Sequence, residues 1–133
     1  MNRFITSVIL ILISVGIGIF SLTETTKLCN TMTQKIEILI VESEALTEKE
    51  RNIKKDELYS EMVELNNVWE NASGFFYFFF NNDDIKTIET NIKKLPIHAK
   101  NGEVEALYLC LVECSEEFQY IKNSSHLNFN NIF

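Results

Sequence analysis

The chain is poor in the residues that usually mark catalytic, secreted or nucleic-acid-binding classes. It has one Pro and four Gly in 133 residues, which excludes collagen-like and low-complexity chains. Three Cys with no Cys-x-x-Cys exclude a disulfide-framework mini-protein and a zinc ribbon. There are two His, and neither stands at a recognisable spacing from a Ser or Cys nucleophile. Twelve basic side chains face nineteen acidic ones, a net charge of −7 that opposes binding to a phosphate backbone. The length allows one core at most.

Charge is missing altogether from one stretch. After Arg3 the next charged residue is Glu24, leaving Phe4 to Thr23 as twenty uncharged positions, with Thr6, Ser7, Ser14 and Ser21 among the polar minority. At about 1.5 Å per residue such a helix matches a hydrocarbon core of roughly 30 Å. The alternative is a secretory signal, against which stand the length of the run and the lack of an Ala-x-Ala site after it. Residues 1–23 are therefore expected to be a membrane anchor or uncleaved signal. Arg3 ahead of the span and Glu24 behind it place the N-terminus in the cytoplasm and the remainder outside, in the cell membrane. That remainder carries 11 basic and 19 acidic residues, net −8.

Beyond the span the pattern is helical, and no segment alternates like a strand. Leu28, Met32, Ile36, Leu39 and Leu46 recur at helical spacing, and nothing breaks the chain between them and the span. One helix is thus expected to run out of the bilayer to about Ala45. Thr47-x-x-Glu50 reads as a capping box opening a second helix, whose seam is Leu58, Met62, Leu65, Trp69, Ala72, Phe76 and Phe79. Asn81-Asn82-Asp83-Asp84 ends that helix and caps a third, with Ile85, Ile88, Ile92, Leu95 and Ala99 inward. Pro96 is expected to kink or end the third helix, and Asn101-Gly102 to stop it. Val104, Leu107, Leu111, Cys114, Phe118 and Ile121 form the fourth seam, closed by Asn123-Ser124-Ser125. The fold expected is all-α: an N-terminal transmembrane helix continuing into an up-down antiparallel bundle of about four helices. The bundle would occupy 24–123, and 124–133 a short tail.

Six consecutive aromatics, Phe75, Phe76, Tyr77, Phe78, Phe79 and Phe80, cannot all face one core. By helical rise the first helix climbs about 37 Å from Leu22 to the turn, and the second needs about the same to descend to Phe75. The cluster is therefore a candidate for the membrane interface, where aromatic rings are favoured, or for contact with a partner. The competing reading is that Phe76 and Phe79 are core and the others cover the loop below. Trp69 is a candidate core residue or the wall of a ligand slot between helices.

Other combinations offer little chemistry. Cys110 and Cys114 lie one turn apart and could join His98 or Glu113 as metal ligands, but a Cys on an apolar seam is far more often a small core residue. Glu113, Glu116, Glu117 and Asn81 to Asp84 lack the alternating ligands and central Gly of a calcium loop. No phosphate loop or nucleophile elbow occurs. No catalytic residue, metal site or cofactor is expected.

The layout resembles the bacterial domain of unknown function family 4363, small proteins with a hydrophobic N-terminal segment followed by helices. The resemblance covers nearly the whole chain. It is carried by Trp69 onward through Asp83-Asp84-Ile85-Lys86-Thr87-Ile88-Glu89, by Ile92-Lys93-Lys94-Leu95 and Glu103-Val104-Glu105-Ala106-Leu107, and by the closing Asn131-Ile132-Phe133. Relatives often carry a His just before the acidic helix start, where this chain has Asn81-Asn82. The resemblance implies architecture and location and brings no activity. The function expected is a non-enzymatic interaction or accessory subunit whose partner is another membrane protein or a second copy. The alternative is a sensory bundle holding a small apolar molecule.

Overall fold

The computed structural model describes the backbone of residues 2–46 and 48–132, and the side chains of all of these except 48, 51, 52 and 128–132. The fold is all-α, with no strand among the described residues. Its elements are α1 (Asn2–Glu44), α2 (Glu48–Ile53), α3 (Lys55–Phe79), α4 (Asn82–Asn101) and α5 (Val104–Ile132). The four long helices pack antiparallel, α1 against α5, α3 against α4 and α4 against α5, with α1 and α3 the most loosely joined.

Helix α1 is 43 residues long and changes character midway. Its N-terminal half holds an 18-residue window of mean hydropathy 2.5, none of it buried, long and apolar enough to cross a membrane. From Thr25 onward one face turns inward through Thr25, Cys29, Met32, Ile36, Leu39 and Ser43. Leu28, expected on this seam, is only partly buried. No turn or loop separates the two halves, so one helix serves as candidate span and as a quarter of the core.

The second predicted helix is interrupted at its start. Thr47, the expected cap, lies outside the described residues. Beyond it α2 has six residues, and a bend at Lys54 separates it from α3. Backbone bonds still cross the bend, Lys54 N to Glu50 O and Leu58 N to Lys54 O, both 2.9 Å. In α3 the seam is buried from Leu58 to Phe76, whereas Phe79, the last expected member, is only half-covered. The helix stops there: Phe80 is extended, and the inward face has no further turn to lie against.

Both tight connections follow from capping chemistry. Asn81 accepts a hydrogen bond from the Asp83 N–H at 2.8 Å, and Asp83 and Asp84 occupy the positive end of α4. At the other end Gly102 takes φ 71°, its N–H bonding Ala99 O, while Glu103 N bonds His98 O. This paired closure needs a left-handed residue, which only Gly supplies without steric cost. Pro96 does not end α4 early; the helix runs through it to Asn101. The other expected stop also fails, since α5 continues through Asn123-Ser124-Ser125 to Ile132 in place of a tail from residue 124. Asn and Ser are only mildly unfavourable within a helix, and no Gly or Pro follows to break it. On either side of Asn123-Ser124-Ser125 the helix meets α1, Lys122 Nζ donating to Asn30 Oδ1 at 2.8 Å and His126 Nε2 lying 3.3 Å from Thr26 Oγ1.

The expected inward residues of α4 and α5 are all buried, from Ile85 to Ala99 and from Val104 to Ile121. Four polar residues are buried beside them, Thr25, Thr33, Ser43 and Asn91. Asn91 ties α4 to α5, its Nδ2 donating to Glu117 Oε1 at 2.8 Å while its carbonyl accepts from Cys110 Sγ at 3.2 Å.

Candidate functional site: the aromatic end of the bundle

The six aromatics divide by their position around the last two turns of α3. Phe76 points into the core, fully buried, with its ring stacked on Trp69 at 5.5 Å and edge-on to Phe118 at 6.1 Å. Phe80 lies against Phe76 at 6.0 Å and closes the bundle floor.

Phe75, Phe78 and Phe79 form an outward ledge. Phe79 stands between the other two, 4.8 Å from each ring. Phe78 is 81% exposed. Phe75 reaches across to α1 and meets the ring of Phe20, inside the apolar stretch, edge-on at 6.4 Å. The descent of α3 therefore returns the chain to the level at which α1 turns from uncovered apolar surface to bundle core.

Tyr77 behaves differently from its neighbours. Its hydroxyl donates to the Glu89 carboxylate on α4, which is also paired with Lys93 at 3.1 Å. The Tyr77 hydroxyl and the Lys93 ammonium hold the Glu89 carboxyl below its usual range, and the same hydrogen bond raises the Tyr77 phenol. Tyr77 thus fixes α3 to α4, a role for which the sequence offers no local signal, since Glu89 lies twelve residues away.

Trp69 is fully buried and clasped between Phe76 and Phe118, the second ring edge-on at 5.8 Å. Its indole Nε1 finds no hydrogen-bond partner among the described residues. An open cleft lies elsewhere, between α1 and α3 just above the Phe20–Phe75 contact. It measures about 410 Å³ and is lined by Leu28, Met32, Val68, Ala72 and Phe75, with Glu24, Thr31 and Asn71 at its edge.

The remaining residues singled out in the sequence do not gather into one site. Cys29, Cys110 and Cys114 are free and buried. Burial pushes the Cys29 thiol up to about 12, and Cys114 is held as a thiol by its hydrogen bond with Cys110 and by burial. His98 Nδ1 pairs with Glu103 Oε2 at 2.7 Å around the Gly102 turn. Among the described residues no group of three or more His, Cys, Asp or Glu is arranged to hold a metal ion. Compared with protein-family models, curated proteins and solved structures, the chain matches none.

Proposed function

We propose that the protein is a single-pass membrane protein whose acidic helical bundle stands outside the cytoplasm and serves as an interaction or accessory subunit of a membrane complex. The observation that carries this reading is the continuity of α1, an uncovered apolar stretch that passes without a joint into the bundle core. The aromatic ledge supports it: Phe75 touches the stretch through Phe20, and Phe78 and Phe79 extend the apolar surface sideways at that level. Rings in such a position favour the headgroup region. The single positive side chain ahead of the stretch, Arg3, favours a cytoplasmic N-terminus. The resemblance to the family of unknown function 4363 enters this reading through layout alone.

The test is topology followed by capture. Full-length protein expressed in bacterial membranes is expected to resist alkaline extraction, and its bundle to be cut by protease added to the outer face. A photo-crosslinker at the exposed Ile38 or Val41 is then expected to trap a defined membrane protein or a second copy. Release by alkali, or protection of the bundle from outside, would overturn the anchoring or the orientation.

The second reading, a bundle that takes a small apolar molecule, is favoured by the cleft between α1 and α3, with its apolar wall of Leu28, Met32, Val68, Ala72 and Phe75. Melting of the full-length protein across a lipid and metabolite panel separates the two, since only this reading expects a ligand-dependent shift.

A further inference from the structure

The far end of the α1–α3 seam holds a juxtaposition of a different kind. Among the long helices α1 and α3 are the most loosely joined neighbours, and two clefts of about 180 and 330 Å³ open between them. Both are lined by Glu42 from α1 and Glu61 from α3. There the exposed Glu42 and the half-buried Glu61 face one another, their carboxyl groups within reach of a shared hydrogen bond. Ionised carboxylates only accept, so this contact exists when one of the pair carries a proton. Glu61 Oε2 is buried and meets no hydrogen-bond donor among the described residues.

We propose that Glu61, set against Glu42, is a proton-dependent clasp that closes the far end of the α1–α3 seam while Glu61 carries a proton and releases it when Glu61 ionises. The surroundings are arranged for this. Glu57 and Glu64 on α3 and Glu50 on α2 add negative charge around the clefts, against Lys35 on α1 and Lys54 at the bend. Burial, the hydrogen bond with Glu42, and the charges of Glu42, Glu57 and Glu64 push the Glu61 carboxyl up to about 7. The folded value is raised above that of the unfolded chain. The clasp therefore contributes fully below the ordinary carboxylate range and is lost as pH rises through about 7, with little further change above. The apolar seam beside it, Leu39, Leu58, Met62 and Leu65, is buried and does not titrate, so opening is confined to this end.

The experiment uses full-length protein in detergent micelles between pH 5 and 8. Hydrogen exchange, normalised for intrinsic rate, is followed beside thermal unfolding for the natural chain, Glu61→Gln and Glu42→Gln. In the natural chain, opening at residues 35–46 and 54–65 should increase by up to about tenfold per pH unit from pH 5 to 7 and level off above. Either amide variant keeps a donor facing a carboxylate at every pH, so this regional dependence should vanish while other pH effects remain. If one variant fails to fold, the other decides. The proposal is overturned if a folded variant retains the natural dependence, or if the natural chain shows none or opens equally along α4 and α5.

Discussion

The ring of Phe75, near the end of α3, meets the ring of Phe20, inside the apolar stretch of α1, edge-on with centroids 6.4 Å apart. These residues are 55 positions apart, and their meeting places the end of α3 beside the apolar stretch. If the apolar stretch lies in a bilayer, the ledge of Phe75, Phe78 and Phe79 lies at its surface. A Trp placed at Phe78, in a chain whose own Trp69 is changed to Phe, should be quenched by lipids brominated near the headgroup. A Trp placed at Tyr59, near the other end of α3, should not be. Equal quenching at both positions would contradict this placement.

Trp69 has a second consequence. Its buried indole N–H has no partner among the described residues, so replacing it with Phe removes an unsatisfied donor together with some packing volume. Trp69→Phe is expected to cost about 1–2 kcal/mol, and Phe118→Ala, which leaves a cavity beside the same rings, about 3–5 kcal/mol. Denaturant midpoints of the two variants give the comparison, and the reverse order would mean that Trp69 makes a bond to water or a ligand.

The α4 termini offer a paired test. Gly102 sits at φ 71°, where a Cβ meets no atom but the backbone conformation itself is strained. Gly102→Ala should cost about 1 kcal/mol. Asn81→Ala removes the cap on Asp83 N and should cost about the same. The two sites lie at opposite ends of the helix, so the double variant should show the sum of the single effects in melting experiments.

The three cysteines should be silent in the folded protein. Burial covers all of them, and Cys29 and Cys114 are held as thiols. Alkylation by iodoacetamide at pH 8, read by mass, is expected to be on the order of 100-fold slower than in denaturant, where all three react. Rapid modification of Cys29 or Cys114 in the native state would show that its helix opens locally.

Periodicity made most of this architecture legible. Wherever apolar residues stepped by three and four, from Leu58 to Phe76, Ile85 to Ala99 and Val104 to Ile121, the inward face is the one expected. The discrepancies fall where a seam ends. Phe79 continues the pattern, but its helix stops in the same turn and leaves it only half-covered; Asn123-Ser124-Ser125 reads as a stop, yet α5 stays helical beyond it, where no Gly or Pro breaks the chain. Pairs made across helices have no local signature. Tyr77 with Glu89 and Glu42 with Glu61 each depend on register between two elements, which spacing within one helix does not specify.

The unbroken course of α1 has a mechanical meaning. On the reading that its first half crosses a bilayer, the part beyond Thr23 is a lever of about 32 Å fixed to the span. A tilt of roughly 20°, ordinary for a single span, would swing its far tip by about 11 Å. With no hinge to absorb it, a change in bilayer thickness at one end of α1 becomes a displacement at the other.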